Sequence, residues 1–380
     1  MTWKPLKWCF CMEQELNSTS KIAIIGGGPA GCCCAYFLQN DFDVTIFDIG
    51  SPLRTLLPTG GGRCNLAHAE YDFKELAKNY PRGEKFLYSV FSKFATAETI
   101  DMFNEMGVKT YSQPDGRIFP ETNSSVDVRE KFLKNLKKVK FLKETVTKLD
   151  FEKFDVYVLA TGGHASFKLA EGHKIVSPKP ALVGLKTVEK LPQGVSLKSV
   201  KSCGFCDDIL FTHEGISGPL IYKISSVNAR CEFPYKLNFD FCEDFDFQEK
   251  LNSNPHKSIK NLLGDFVPKS FAEYILNAIN IDCDTKCHLI NGKLRDLIIE
   301  NLHNMSLTVT GTSKDGEVVT CGGVSLDEVD AKTMQSKLNQ NLYFCGEILD
   351  IDGFCGGFNL QNCWSTAYVA AKGILSRKKA

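Results

Sequence analysis

A run of glycines between a short apolar strand and a helix constrains this chain more than any other feature. Residues Lys21–Ile25 (KIAII) form a β-branched run that is typical of a buried parallel strand. Gly26-x-Gly28-x-x-Gly31 follows at once, then a small apolar helix and a second strand, Asp43–Asp48. The order of strand, glycine turn, helix, strand and terminal acid predicts a nucleotide-binding α/β fold.

Each residue of this turn has a separate role in binding a dinucleotide. Gly26 permits the tight turn, Gly28 lets a pyrophosphate approach the backbone, and Gly31 lets helix and strand pack closely. Pro29 is tolerated because N–H groups of the first helical turn need no helical partner. The Asp48 carboxylate is placed to accept hydrogen bonds from a ribose. NAD and FAD both remain open here. Because no second motif of this kind follows, one nucleotide fold must hold the permanent cofactor.

The most unusual stretch is TGGGRCN, residues 59–65. Gly60, Gly61 and Gly62 give a backbone that can lie against a flat ring or a phosphate. Arg63 offers a planar set of donors for a pyrophosphate or a flavin carbonyl. The adjacent Cys64 is a candidate redox thiol. The alternative interpretation is a flexible surface loop with an ordinary packed cysteine.

A second glycine-rich segment follows the last predicted strand, Leu342–Cys345. It contains Gly346-Glu347, Asp352 and the run GGFNLQ (residues 356–361), and it leads into a helix predicted from Gln361 to Leu375. In FAD enzymes of the glutathione-reductase type, such a segment returns to the nucleotide fold, where an acid contacts the ribityl chain. Helix N–H groups there favour reduced, anionic flavin. This segment favours FAD over NAD as the permanent cofactor.

The chain resembles the BaiN/YhiN-type flavoproteins, a family of FAD-dependent NAD(P)H oxidoreductases. The motifs that match are spread in order along nearly the whole chain: IIGGGPAG, GGGRCN, GRIFPET, VLATGG, PKPALVGL, LFTHEGISGP, VTCGGVSLDEVDAKTMQSK and LYFCGEILDIDGFCGGFNLQ. The chain departs from the family in having Asp48 where Glu is more frequent and Phe358 where Tyr is common. Cysteine also occupies several small positions (Cys33, Cys345, Cys355, Cys363).

The resemblance implies a Rossmann-like α/β FAD domain in two sequence pieces, with an inserted domain that is partly β-barrel-like and partly helical. We expect a disordered leader over 1–20, FAD-binding pieces over 21–186 and 322–380, and an insert over 187–321. Within the insert, 187–242 is β-rich, 243–305 is helical, and strands return over 306–321. The implied noncovalent FAD contacts are Gly26, Gly28, Pro29, Ala30, Gly31, Asp48, Gly60, Gly61, Gly62, Arg63, Cys64, Val146, Thr161, Gly162, Gly346, Glu347, Asp352, Gly356, Gly357, Phe358, Asn359 and Leu360.

Composition narrows the function classes further. The 380 residues carry 45 basic and 45 acidic side chains, so bulk charge does not attract nucleic acid or anionic membranes, and no nucleic-acid partner is expected. The longest uncharged stretch is interrupted by glycines and proline, which excludes a membrane span there. Sixteen cysteines, three of them consecutive, indicate reduced thiols in the cytoplasm. The oligomeric state and the nativeness of residues 1–11 stay open.

The predicted insert contains further candidates. His213, in the run THEGISGP, is a possible proton donor to a substrate, and a structural turn is the alternative. Cys203-x-x-Cys206 is a possible redox or metal pair, but no second pair accompanies it, so strand packing is preferred and no metal is predicted. Six lysines between residues 131 and 143 are interpreted as a solvated face.

These observations predict an oxidoreductase that transfers hydride through flavin N5. NAD(P)H is the expected transient reductant, and a small organic molecule is the expected acceptor. One alternative is an FAD-dependent amine oxidase that uses O₂. An alternative of another class is a flavin-bearing RNA-modification or RNA-binding protein, for which the neutral charge gives no support.

Overall fold

The computed structural model describes residues 15–163, 167–242, 245–313 and 319–378. The chain divides into two compact units, the first built from residues 1–178 and 321–380 and the second from 179–320. The sequence places these boundaries after residues 186 and 321. The first break comes earlier because the strand Leu185–Thr187 is hydrogen-bonded within the sheet of the second unit.

Within the described ranges the strands are, in chain order, β1 (Lys21–Ile25), β2 (Asp43–Asp48), β3 (Ala67–His68), β4 (Thr110–Ser112), β5 (Arg117–Pro120), β6 (Lys140–Lys143), β7 (Val156–Leu159), β8 (Ile175–Ala181), β9 (Leu185–Thr187), β10 (Ser196–Ser202), β11 (Phe205–Phe211), β12 (Gly215–Ser217), β13 (Tyr235–Phe239), β14 (Met305–Thr312), β15 (Val319–Val324) and β16 (Leu342–Phe344). The α-helices are α1 (Pro29–Leu38), α2 (Phe73–Ala77), α3 (Glu84–Phe91), α4 (Thr96–Glu105), α5 (Ser125–Lys134), α6 (Pro219–Val227), α7 (Phe247–Ser253), α8 (Ile259–Leu263), α9 (Lys269–Ala278), α10 (Gly292–His303) and α11 (Phe358–Leu375).

A five-stranded parallel sheet in the order β16-β7-β1-β2-β6 forms the centre of the first unit. Its inner strands are apolar on both faces and nearly inaccessible, as expected for a parallel sheet covered by helices. Helix α1 packs against α11. Cys32, Cys33 and Cys34 are all fully buried, which requires α1 to be enclosed around most of its circumference. The Rossmann-like α/β class predicted from the sequence is confirmed.

A smaller antiparallel sheet, β3-β5-β4, lies in the same unit. Helices α3 and α4 are separate, with residues 92–95 between them. Ala95 caps the second helix, and its N–H donates to the Glu98 side chain at 2.8 Å. This local cap explains the break.

The leader differs from expectation where the structure describes it. Leu16 is buried, and its N–H donates to the carbonyl of Arg377 at 2.9 Å. Residues 15–20 therefore belong to the fold through contact with the other end of the chain. The predicted disorder of residues 1–14 lies outside the described residues.

The second unit contains a six-stranded antiparallel sheet in the order β10-β11-β12-β9-β14-β13. Its two edge strands are joined at one point, where Lys201 and Asp240 exchange two backbone hydrogen bonds of 2.9 Å. This bridge connects the two edges of the sheet, and the β-barrel-like character of the insert stays a prediction. Helices α7 to α10 contribute to its own hydrophobic core. Among the described residues, no helix is long and apolar enough to cross a membrane.

Candidate cofactor site

The glycine turn after β1 is fixed by close packing at two positions and open at the third. Gly26 has a φ of +109°, and a Cβ there would lie 2.3 Å from the Ala160 carbonyl oxygen. A Cβ on Gly31 would lie 1.9 Å from the Gly26 oxygen. A Cβ on Gly28, in contrast, would meet only the Thr55 hydroxyl, at 3.6 Å. Gly28 caps α1, where first-turn N–H groups and the helix dipole favour an anion.

Asp48 reaches back to this turn from the end of β2. Its Oδ2 accepts from the Gly27 N–H and its Oδ1 accepts from the Gly50 N–H, both at 2.6 Å. Each carboxylate oxygen can accept a further hydrogen bond, so the group can still bind ribose hydroxyls. The short side chain is thus held close to the backbone, and a ribose must approach the turn closely to reach it.

The C-terminal segment returns to the same edge of the sheet. Since β1, β7 and β16 are parallel neighbours, their carboxyl ends lie side by side. Gly346, after β16, has a φ of +76°, and a Cβ on it would lie 2.6 Å from the Cβ of Ala30 in α1. A Cβ on Gly162, after β7, would lie 3.9 Å from Glu347 Oε2. Segments from the two ends of the chain therefore meet, as their proposed joint role in binding one cofactor requires.

The loop of three glycines has the backbone that only glycine adopts readily. The φ values of Gly60, Gly61 and Gly62 are +58°, +69° and +84°. A Cβ on Gly61 or Gly62 would meet nothing within 4 Å, so the loop presents bare backbone to its surroundings. The Arg63 guanidinium carbon lies 4.2 Å from the centre of the Phe119 ring, and Arg63 Nε donates to the Gly60 carbonyl at 3.3 Å.

Cys64 does not have the properties of a redox thiol. It is fully buried, and burial raises the pKa of the thiol to about 12, with a smaller lowering by its hydrogen bond to Thr59. The thiolate is the reactive form of cysteine, so this group stays protonated and unreactive near neutral pH. Its redox role was one of two interpretations of the sequence, and the structure favours the packed cysteine.

Asn65 was part of the quoted motif but was given no role. Its amide donates to the carbonyls of Ala67 (3.1 Å) and Ile118 (3.2 Å) and accepts from the Gly357 N–H at 3.0 Å. The glycine loop is thus tied to the segment that begins α11. Asn is suited to this position because one side chain supplies both donors and an acceptor.

His68 was missed by the sequence analysis. Its Nδ1 lies 3.0 Å from the carbonyl oxygen of Gly356, so Nδ1 carries a proton. Its ring stacks on Phe358 with centroids 4.6 Å apart. A Cβ on Gly116, in the GRIFPET motif, would lie 2.5 Å from His68 Nε2, which explains the glycine there. The partners are 288 positions apart in sequence, so no local pattern reveals the contact.

Asp352, a predicted cofactor contact, is held by an ion pair inside the first unit. The carboxylate is fully buried and forms a two-pronged ion pair with Arg82, Nε to Oδ1 and Nη2 to Oδ2. This ion pair positions the loop before α11. The role of Asp352 as a cofactor contact stays a prediction.

The start of α11 is likewise held by hydrogen bonds to side chains and backbone of the first unit. The Phe358 ring is nearly inaccessible, and the Tyr80 hydroxyl donates to the Phe358 carbonyl at 2.6 Å. The Asn359 amide exchanges hydrogen bonds of 2.8 and 2.9 Å with the backbone of Gly353. These side chains hold the helix end in place, and Leu360 is half-buried beside them. The backbone N–H groups of the first turn are the groups suited to a ligand.

The remaining predicted contacts, Thr161, Gly162 and Val146, follow the carboxyl ends of strands in the sheet. Thr161 and Gly162 come directly after β7. Val146 lies three residues beyond β6, which ends at Lys143. Val146 is half-buried against the core of the first unit.

His213 lies in the second unit, in the turn between β11 and β12, and is exposed. Thr212 shapes this turn: its N–H donates to the Gly215 carbonyl at 2.8 Å, and its hydroxyl accepts from the Gly215 N–H at 3.2 Å. The neighbouring Glu214 pairs with Lys186 at 2.7 Å, and the Lys186 hydrogen bond lowers the pKa of Glu214. The catalytic role of His213 stays a prediction.

The residues present fit FAD. Gly28 leaves space at a helix N-terminus, Asp48 supplies a ribose acceptor, and the N-terminus of α11 supplies backbone donors beside a bare glycine loop. The parallel sheet and the glycine-lined segments at its carboxyl edge define the class: a dinucleotide-binding oxidoreductase of the Rossmann type.

Comparison with known proteins agrees. The model of the HI0933-like protein Rossmann domain matches residues 20–373, and the chain belongs to this family of FAD-dependent oxidoreductases. The ribosomal RNA dihydrouridine synthase of Escherichia coli is 29% identical, with 94% of this chain and 98% of that protein covered. The protein of the same name from Haemophilus influenzae is 26% identical over 94% and 99%. The 3-dehydro-bile acid delta(4,6)-reductase of Clostridium scindens is 28% identical over 94% and 100%.

Proposed function

We propose that this flavoprotein reduces a carbon–carbon double bond conjugated to a carbonyl group, with NAD(P)H as the electron donor. One observation supports this above all: relatives that match end to end are named for one chemical change on unlike substrates. Forming dihydrouridine saturates the uracil C5=C6 bond next to a carbonyl. A delta(4,6)-reductase of a 3-dehydro-bile acid saturates bonds conjugated to the 3-oxo group. This shared reaction supports the proposed function more strongly than the identity of either substrate does.

FAD, when bound, supplies two-electron transfer between a pyridine nucleotide and such a double bond. The chain's own residues bind and orient it. The Gly28 turn and the first turn of α1 hold the diphosphate, while Asp48 holds the adenosine ribose. Backbone N–H groups at the start of α11 stabilise negative charge on the ring system. Asn65, His68 and Arg82 fix these loops and need not contact the cofactor.

Uridine in ribosomal RNA is the first substrate to test. Two relatives carry that activity in their names, and each is covered almost completely. The neutral net charge is therefore no ground for excluding RNA as a partner. A local surface can still be basic: Lys134, Lys137 and Lys143 are exposed within the segment from α5 to β6. A steroid-like enone acid is the second substrate, favoured by the third relative.

The test separates electron donor from acceptor. Purified protein is reduced anaerobically with NADH or NADPH, and flavin reoxidation is followed after adding ribosomal RNA lacking dihydrouridine or a conjugated enone acid. Mass spectrometry of RNA nucleosides or of the acid identifies the product. We expect NAD(P)H-dependent saturation of one acceptor class and none with the Gly28→Ala variant. Hydrogen peroxide release from amines without NAD(P)H, and no saturated product, would contradict the proposal.

His213 is proposed as the proton donor, because saturation of a double bond needs one proton besides the hydride. We expect His213→Gln to lower the rate of acceptor reduction by roughly 10²-fold or more while leaving flavin content and its reduction by NAD(P)H unchanged. If the wild type and His213→Gln reduce the acceptor at equal rates across pH 6–9, His213 is not the proton donor. Glu214→Gln, a change in the same turn, is the matched control.

A further inference from the structure

A cluster of metal-binding side chains lies in the second unit, formed by Asp240, Cys242 and His303. Asp240 and Cys242 follow β13, and His303 is the last residue of α10. The register of the sheet fixes their proximity: Phe239 pairs with Met305, two residues beyond His303. Backbone hydrogen bonding extends this pairing, so both chain segments are held in place independently of any ligand.

The residue between the two candidate ligands determines their direction. Phe241 is 2% exposed and packs against the rings of Phe211 and Phe271. Its N–H donates to the Leu302 carbonyl at 2.8 Å. Because side chains alternate along an extended segment, burying Phe241 turns Asp240 and Cys242 to its other side, towards solvent. Both are partly accessible, which leaves an ion a route to them.

The three side chains converge on one point. His303 Nδ1 lies 2.8 Å from Asp240 Oδ1, and His303 Nε2 lies 3.7 Å from Cys242 Sγ. One donor atom from each residue can be chosen so that all three lie within 4.8 Å of one another. A carboxylate–imidazole–thiol relay for proton transfer would place oxygen and sulfur on opposite sides of the ring. Here the Cys242 sulfur lies within 4.8 Å of a carboxylate oxygen of Asp240. The three donor atoms therefore surround one point, as ligands surround an ion.

We propose that this cluster binds a divalent ion of the zinc class. Thiolate, imidazole and carboxylate together suit Zn²⁺, which accepts sulfur, nitrogen and oxygen ligands in tetrahedral geometry. Tetrahedral Zn²⁺ needs ligand atoms about 3.5 Å apart, so rotation of the partly exposed Cys242 side chain closes the site. Three protein ligands leave a fourth position open. Asp240 and His303 also line a cavity of about 340 Å³, so there is room for a water at that position.

The electrostatic surroundings favour a cation. His303 ends α10, and the carboxyl end of a helix carries partial negative charge. The ammonium of Lys201 lies 3.6 Å from Asp240 Oδ2, so this carboxylate already pairs with a cation. Lys201 is half-exposed, so it can move into solvent when an ion enters. Bound metal would connect the end of β13 to the end of α10, a role separate from the proposed reduction chemistry.

The experiment uses the full-length, FAD-loaded protein after treatment with a chelator. Calorimetric titration with Zn²⁺ is expected to give one tight equivalent. Co²⁺ is expected to give tetrahedral d–d bands at wavelengths beyond the flavin absorption, together with a thiolate charge-transfer band. Cys242→Ser and His303→Gln should each weaken binding by more than the roughly 10–100-fold typical of losing a partner outside the coordination sphere.

Cys231→Ser, which removes an exposed thiol elsewhere in the same unit, is the control and should bind Zn²⁺ normally. Flavin content and thermal unfolding show whether each variant is folded. The proposal is overturned if wild-type protein binds no Zn²⁺ tightly, or if its Co²⁺ spectrum lacks the thiolate band. It is equally overturned if the Cys242 and His303 variants bind Zn²⁺ as tightly as the wild type does. Rapid alkylation of Cys242 that leaves the affinity for Zn²⁺ unchanged would also overturn it.

Discussion

Single residues of the glycine turn divide into those that the fold needs and those that a ligand needs. Gly26 and Gly31 leave no space for a Cβ because backbone atoms occupy it, whereas Gly28 faces open space. The sequence motif treats all three alike. The structure thus assigns two roles within one motif: Gly26 and Gly31 serve folding, and Gly28 serves ligand binding.

This difference predicts opposite outcomes for two alanine substitutions. Gly28→Ala should fold normally but retain little FAD, because the new methyl group occupies the approach of the pyrophosphate. Gly26→Ala should reduce soluble yield and stability, since its Cβ would lie 2.3 Å from a carbonyl oxygen at a positive φ. Circular dichroism, urea unfolding and released flavin measure both effects. Normal flavin content in Gly28→Ala would contradict the placement of the pyrophosphate.

The cysteines of the first unit are predicted to differ sharply in reactivity. Burial raises the pKa of Cys64 to about 12, so its thiolate is scarce at pH 8 and becomes abundant only as pH approaches that value. Cys355 is exposed in the loop before α11. Iodoacetamide at pH 8, followed by peptide mass spectrometry, should label Cys355 well before Cys64. Comparable labelling rates in the folded protein would show that Cys64 is accessible and activated.

At the scale of elements, the sequence predicted local units well but did not reveal which distant side chains pair with each other. The β1–α1–β2 unit follows from strand composition, glycine spacing and a terminal acid, all within thirty residues, and it forms as expected. The Arg82–Asp352 pair joins residues 270 positions apart, and nothing near either residue indicates its partner. From the sequence, an acid after the last strand indicates a cofactor contact, and its ion pair with Arg82 cannot be foreseen.

Removing one member of the Arg82–Asp352 pair should be strongly destabilising. Asp352 is fully buried and Arg82 is 11% exposed, so either single change leaves an uncompensated charge. We expect Arg82→Met or Asp352→Leu to lower the free energy of unfolding by about 3–5 kcal/mol. The double variant should lose less than the sum, because no unpaired charge remains. Urea denaturation of all four proteins gives the coupling; additive losses would contradict this account.

At the scale of the whole molecule, the predicted cofactor residues lie in the first unit, whose sequence is interrupted by the second unit. Apart from His213, every predicted cofactor or catalytic residue lies in the first unit. The insertion leaves and returns through adjacent strands: a Cβ on Gly322 in β15 would lie 2.7 Å from the Ser177 carbonyl in β8. The two ends of the insert are thus close enough to be joined directly.

Replacing residues 179–320 by a short glycine–serine linker should therefore leave a folded protein that binds FAD. The five-stranded sheet, α1 and α11 have their own hydrophobic core, so their stability does not require the core of the second unit. Acceptor reduction should be lost, since the proposed proton donor His213 is removed, while reduction of the flavin by dithionite should persist. A yellow, cooperatively unfolding product is the expected result. A colourless product with native-like circular dichroism would show that the second unit supplies FAD contacts, and the assignment of the cofactor to the first unit alone would fail.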